Sequence, residues 1–224
     1  MPPVTCVSEA HVGLIRVLTT DDEETLGAHG RVLEAAFPWM RTISRCIPDQ
    51  PQGIFDDNTE QLAVPKIIRL AEEMADGLDA LAITCAADPG LVEVRKVVSI
   101  PVVGAGSSGA AVAAAQGNRV AVLGLEGAVP RPIKSILGRR FLNFYSVPGM
   151  RTACDLLSGQ GKQAVVDVAR QALKDGADVI LFGCCAMSSM GLAPLLRLEC
   201  GVPVVDPVVA AGAMLWEAIR SWRA

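Results

Sequence analysis

The sequence predicts an α/β protein of two pseudo-symmetric lobes, each a four-stranded parallel sheet flanked by helices, with a site in the cleft between them. Three observations carry this expectation. One pattern occurs twice: Asp76-Gly77-Leu78-Asp79 stands five residues before Cys85, and Asp175-Gly176-Ala177-Asp178 stands five residues before Cys184. Strand signals alternate with helix-compatible stretches at the spacing of β-α units. The 224 residues are 51% hydrophobic but 4% aromatic, so Ala, Val, Leu and Ile must fill the interior, as they do where helices pack on a buried parallel sheet.

The elements follow in order. Residues 13–18 form an apolar strand signal interrupted by Arg16, and the acidic run Asp21-Asp22-Glu23-Glu24 starts a helix that runs toward Phe37-Pro38. A strand over 41–47 leads into the polar stretch 48–61, which is too long for a simple connector and is a candidate active-site lid. Helix 63–75 and strand 78–84 end at Cys85, where Asp88-Pro89 has the chemistry of a helix start, Asp as cap and Pro in the first turn. Strand 100–103 closes the first half. The second half replays the order: strand 119–123, a helical region from Val129, strand 141–147, a Gly- and Ser-rich loop, helix 163–174, strand 177–182, Cys184 and strand 202–205. A final helix covers 208–222. The expected division is 1–106 plus 207–224 for the lobe carrying Cys85, and 107–206 for the lobe carrying Cys184.

Composition excludes several functions. A net charge of -4 without long single-sign runs offers no basic surface for nucleic acid. No segment supplies about 18 uninterrupted apolar residues for a membrane span. The start, Met1-Pro2-Pro3-Val4-Thr5-Cys6, lacks a basic region followed by an apolar stretch, so a cytoplasmic protein is expected. Seven cysteines, an odd number without CxxC spacing, fit reduced thiols. Cys6, Cys46, Cys154 and Cys200 read as small packing residues.

Cys85 and Cys184 differ from these by position. Both fall at the carboxyl ends of strands, the edge where parallel α/β folds bind ligands. Two thiols on opposite sides of one ligand can remove a proton from a carbon beside a carbonyl and return one on the other face. A helix N-terminus after each cysteine would bring its pKa down from about 8.5 toward neutrality. The amides of Cys185-Ala186-Met187-Ser188-Ser189 can hold a developing enolate oxygen.

Ile83-Thr84-Cys85-Ala86-Ala87-Asp88-Pro89-Gly90-Leu91 and Phe182-Gly183-Cys184-Cys185-Ala186-Met187 resemble the paired cysteine motifs of the aspartate/glutamate/hydantoin racemase superfamily, most closely its hydantoin racemase branch. The resemblance runs from Ile15-Arg16-Val17-Leu18 to Val205-Asp206-Pro207-Val208. It implies two flavodoxin-like lobes, a two-base mechanism without cofactor, Cys85 and Cys184 as the acid/base pair, and a small-molecule substrate such as a 5-substituted hydantoin or related cyclic amide. Further copies of the chain are the expected partners. The implied substrate-binding residues are Thr19, Ala86, Ala87, Ser107, Gly124, Leu125, Cys185 and Ala186.

The departures bear on substrate. Amino-acid racemases of the superfamily follow the first cysteine with Asn-Thr and the second with Thr, and carry further Thr residues after the strand that opens the second half. Here those places hold Ala86-Ala87, Cys185 and Gly124-Leu125-Glu126-Gly127-Ala128. A carboxylate would lose charge-assisted hydrogen bonds worth about 1.5–3 kcal/mol each, which favours a cyclic or less charged substrate. Thr19-Thr20 replaces the Asn-Pro-Asn-like turn of hydantoin racemases, and Ser107 replaces a frequent acidic residue. The superfamily also contains maleate isomerase and arylmalonate decarboxylase, so the reaction type stays open.

Competing signals remain. Gly104-Ala105-Gly106-Ser107-Ser108-Gly109 is a GxGxxG after a strand, with Glu126 about 20 residues on, as a dinucleotide fingerprint requires. Its bland counterpart is a lobe-connecting turn that offers amides to an anion. With two histidines, His11 and His29, no pair has metal-ligand spacing, and His29 reads as a surface residue. Cys185 reads as pocket wall, because the repeat places Cys184 opposite Cys85. Asp56, Asp57 and Arg45 read as solvated charges. A non-catalytic binding protein with two pocket thiols is also compatible with the sequence.

Overall fold

A computed structural model describes residues 9–158 and 161–222. The first sheet contains β1 (Ala10–Arg16), β2 (Met40–Cys46), β3 (Ala80–Ile83) and β4 (Val102–Gly104) in the order β2-β1-β3-β4. The second contains β5 (Val120–Gly124), β6 (Phe141–Ser146), β7 (Val179–Phe182) and β8 (Val204–Val205) in the order β6-β5-β7-β8. All pairings are parallel, and the two orders are the same relative to the chain. β3 and β7, which lead to the two cysteines, are interior strands buried at every residue.

The repeated Asp-Gly-x-Asp pattern has one structural job in both halves. Gly77 and Gly176 turn the chain at φ 76° and 85°, a left-handed conformation that favours glycine. The Asp that follows then ties its strand to the neighbouring one. Asp79 accepts from the His11 amide at 2.8 Å and donates its own amide to the His11 carbonyl at 2.8 Å. Asp178 does the same with Arg119, at 2.8 and 3.0 Å. The register of β3 on β1, and of β7 on β5, is thereby set near the start of each strand, which fixes where each cysteine emerges at the other end.

Helices cover the sheets: α1 (Glu23–Ala36), α2 (Asp57–Met74), α3 (Leu91–Val97), α4 (Ala105–Gln116), α5 (Arg131–Leu137), α6 (Ala153–Leu157), α7 (Gly161–Lys174), α8 (Ala186–Ser189), α9 (Leu192–Cys200) and α10 (Pro207–Trp222). α1 starts within the acidic run, with Asp22 accepting from the Thr25 amide. α10 packs on α1, α4, β3 and β4. One continuous core joins Leu14, Leu33 and Ala82 of the first sheet region to Val122, Leu181 and Leu215.

Three local expectations are corrected. α2 begins at Asp57, inside the stretch expected to be loop, because Asp56 and Thr59 form a capping box that satisfies the first amides. The loop shortens to 47–56. α6 forms in the expected Gly- and Ser-rich loop through a second capping box, Thr152 with Asp155. Asp88 does not cap α3: Gly90, at φ 67°, precedes that helix, and the Asp88 side chain turns elsewhere. Cys154 is exposed, not packed, and Cys6 lies outside the described residues. Among the described residues no helix is long and apolar enough to cross a membrane.

Candidate active site

The carboxyl ends of both sheets border one cavity of about 600 Å³. Cys85 and Cys184 both line it. Each sits two residues beyond its strand, and each turn is pinned to the neighbouring strand. Thr84 gives its amide and its hydroxyl to the Ile15 carbonyl, at 3.0 and 3.1 Å. Gly183 gives its amide to the Leu123 carbonyl at 2.6 Å, in a space where a Cβ would meet Val122 at 2.9 Å.

One backbone amide acts on each thiol, that of Ala87 on Cys85 and that of Ala186 on Cys184. These amides favour the thiolate, but burial outweighs them. Desolvation pushes the Cys85 thiol up to about 12, with further upward pressure from Cys184, Asp88 and Glu60. It pushes Cys184 up to about 11. The expected shift toward neutrality is therefore reversed, because a single amide dipole recovers less than burial removes. Cys185, buried beside both, is driven well above the ordinary thiol range, chiefly by burial.

Of the implied substrate-binding residues, Ala86, Ala87, Leu125, Cys185 and Ala186 line the cavity. Thr19, Ser107 and Gly124 are not part of its wall. Thr19 buttresses the 47–56 loop, donating to the Ile47 carbonyl at 2.6 Å and accepting from the Gln50 amide at 2.7 Å. Ser107 Oγ donates to the Gly104 carbonyl within its own helix turn, at 3.2 Å. Gly124 leaves room for Phe144, which would lie 2.7 Å from a Cβ there and which itself lines the cavity.

The glycine-rich turn has a different use from the one its fingerprint suggests. Asp88, with φ 50°, places its carboxylate on the Gly106 and Ser107 amides, both at 2.7 Å. Burial raises its pKa and these amides oppose the rise. The glycines permit this contact: a Cβ on Gly104 would lie 2.3 Å from Asp88 Cγ, and one on Gly106 would lie 2.0 Å from Ala86 O. The amides that a pyrophosphate would need are already bonded to a buried side chain, so the dinucleotide reading does not fit. The α4 terminus instead braces the loop that carries Cys85.

Two buried residues of the wall, one charged and one titratable, were not anticipated. Arg16, 5% exposed, lines the cavity and gives Nη1 to the Thr25 and Leu26 carbonyls at 2.9 and 2.8 Å. Burial lowers it to about 10, which leaves it a cation at neutral pH. His29 is 2% exposed, not on the surface; its Nε2 lies 2.9 Å from the Cys185 carbonyl, and its Nδ1 has no hydrogen-bond partner among the described residues. Burial, and then the Arg16 charge, hold its pKa well below the usual histidine value. Both had a signal. Arg16 breaks an apolar strand, and His29 stands on the α1 face whose buried residues are Ala28, His29, Gly30 and Leu33.

At the mouth, Asp57 at the start of α2 pairs with Arg131 at the start of α5, an exposed bridge between the two halves. Nearby, Cys154 Sγ donates to the Pro51 carbonyl at 3.4 Å. Arg45 pairs with Glu73 on the exposed surface, as a solvated charge should. Among the described residues no group of three or more His, Cys, Asp and Glu is placed to hold a metal ion.

This geometry has known counterparts. A model of the Asp/Glu/hydantoin racemase family matches residues 25–215. Hydantoin racemase of Pseudomonas sp. (strain NS671) is 30% identical over 174 residues, which cover 71% of this chain and 66% of that protein, just under two thirds of its length. Hydantoin racemase of Rhizobium meliloti is 30% identical over 174 residues, 74% of this chain and 71% of that protein. Allantoin racemase from Klebsiella pneumoniae shares the fold with a TM-score of 0.82 at 22% identity, over 95% of this chain and 88% of that one.

Proposed function

We propose that the chain, which belongs to the Asp/Glu/hydantoin racemase family, is a cofactor-independent racemase in which Cys85 and Cys184 serve as acid and base on the Cα of a small cyclic amide, a 5-substituted hydantoin. One observation carries the reading. Two thiols from equivalent turns of the two halves line one cavity, and a backbone amide favours the thiolate of each.

In this reading one cysteine loses its proton and the other keeps it. Burial leaves both thiols neutral at rest; the reactive form of the pair has lost one proton, and the like-charge influence of Cys184 on Cys85 opposes loss of a second. The thiolate takes the ring proton from one face, and the opposite thiol delivers its own to the other. The electron pair released on carbon moves into the adjacent carbonyl, whose oxygen becomes enolate-like. Arg16 is the cation in the wall suited to that oxygen. After one turnover the thiol and thiolate have exchanged places, ready for the opposite enantiomer. Cys185 is a wall residue in this scheme.

The substrate class follows from the hydantoin racemase relatives and from a first-cysteine loop, Ala86-Ala87, that has no side-chain hydroxyl for a carboxylate. Arg16 favours a second reading, racemisation of an open-chain acid whose carboxylate would meet the guanidinium. The six described cysteines are all free, which suits a reducing cytoplasm.

Incubation with each enantiomer of a 5-substituted hydantoin in deuterium oxide, beside the matching free amino acid and protein-free controls, tests both readings. Optical rotation should decay with deuterium entering at C5 of the hydantoin. Exchange in the amino acid alone would replace the first reading by the second, and exchange in neither would leave a binding protein.

A further inference from the structure

The Cys184 side of the cavity holds a buried histidine that the proton-transfer scheme does not use. His29 belongs to α1, 156 residues from Cys185 in sequence, yet its Nε2 lies 2.9 Å from the Cys185 carbonyl. A carbonyl oxygen can only accept, so Nε2 carries the proton and the neutral ring keeps a lone pair on Nδ1. Among the described residues that second nitrogen is buried without a hydrogen-bond partner, a cost that an aliphatic side chain of similar size would avoid. Packing alone therefore does not account for an imidazole here; the bond to Cys185 does.

The bond acts on a peptide plane. A trans peptide sets its C=O and the following N–H antiparallel. With the Cys185 oxygen held toward α1, the Ala186 N–H faces the other way, and this amide is the one that favours the Cys184 thiolate. The first half achieves the same arrangement without a side chain. There the Ala86 oxygen is seated against Gly106, where a Cβ would come within 2.0 Å of it, and the Ala87 N–H favours the Cys85 thiolate. Each half thus fixes the carbonyl one residue after its cysteine and so aims the next amide at the sulfur.

We propose that His29 is a positioning residue for Cys184: by holding the Cys185 carbonyl it keeps the Ala186 N–H on the Cys184 sulfur and so sets how readily that thiol ionises. The functional consequence rests on the racemase reading above, and it gives the Cys184 half of that reading its own control point. The charged and titratable groups beside the pair are Arg16 on β1, next to His29, and Cys85 and Cys185, next to Cys184. None of them is altered by the substitutions below.

The test needs no substrate, so its outcome is separate from whether racemisation is found. Iodoacetamide labelling of the whole protein is followed from neutral to alkaline pH, with peptide fragmentation to tell Cys184 from Cys185. In His29→Leu the Cys184 labelling profile should move up by about one pH unit, roughly tenfold slower at a given pH, while Cys85 keeps its profile. His29→Gln, whose amide nitrogen reaches the same carbonyl, should restore Cys184. Should His29→Leu fail to fold, His29→Asn takes its place, because its amide is too short for that bond. An unmoved Cys184 profile, a joint shift of Cys85 and Cys184, or a His29→Gln no better than the disrupting variant would each overturn the proposal.

Discussion

Gly106→Ala places a methyl group where the structure has no room, and the obstruction is backbone. The new Cβ would lie 2.0 Å from Ala86 O and 2.7 Å from its carbonyl carbon, whereas ordinary contact begins at 3.4 Å. The Ala86–Ala87 peptide must therefore retreat by more than an ångström. Asp88 resists, since its carboxylate grips the Gly106 and Ser107 amides at 2.7 Å. Overpacking of this kind costs about 1–3 kcal/mol of stability. The functional loss should be larger, because the displaced peptide carries the amide at Cys85. Losing a hydrogen bond to a charged group costs about 1.5–3 kcal/mol, and a 1 Å misplacement alone costs about 100-fold in rate. Proton exchange directed by Cys85 should thus fall about 100-fold, while exchange directed by Cys184 falls far less. Deuterium incorporation measured separately for each enantiomer, with a thermal melt to confirm folding, gives the answer. Equal slowing of both enantiomers in a folded protein, or no slowing of either, would refute the reasoning.

Asp88→Asn leaves one acceptor for two amides and should destabilise the protein by about 1.5–3 kcal/mol in urea unfolding, since one charge-assisted bond is lost. The pH dependence of stability has a definite sign at His29. Its folded pKa lies well below 6.5, so once pH falls below that value the unfolded chain binds a proton that the folded chain refuses. Stability should decline as pH drops from neutral into the mildly acidic range, and His29→Gln should flatten that decline in melts taken across it.

The sequence made the scaffold legible because its repeat is local. Asp79 and Asp178 act on amides of the adjacent strand, and the turn glycines Gly77 and Gly176 lie beside them, so one short pattern encoded both strand starts and the positions of both cysteines. What the sequence hid depends on partners far along the chain. Asp88-Pro89 looks like a helix cap, but its carboxylate bonds to amides 18 and 19 residues away. The GxGxxG turn is a close-packing device for that carboxylate, and the spacing of the glycines cannot say what approaches them. His29 entered the cavity wall because α1 lies against the turn after β7, a contact no local pattern announces, whereas Arg16 ends β1 at the sheet edge that borders the cavity. The thiol pKa direction was missed for the same reason: amide dipoles are readable from a helix start, whereas burial in the folded chain is not.

Deuterium exchange in the single-cysteine variants tests the two-thiol reading most directly. Cys85→Ser and Cys184→Ser, each offered both enantiomers of a 5-substituted hydantoin in deuterium oxide, should lose net racemisation. Each should retain exchange of one enantiomer, and the two should prefer opposite ones, because each surviving thiolate faces one side of the ring. Cys185→Ser should still racemise. An active Cys184→Ser beside a dead Cys185→Ser, or two variants that exchange the same enantiomer, would contradict the assignment of one thiol to each face.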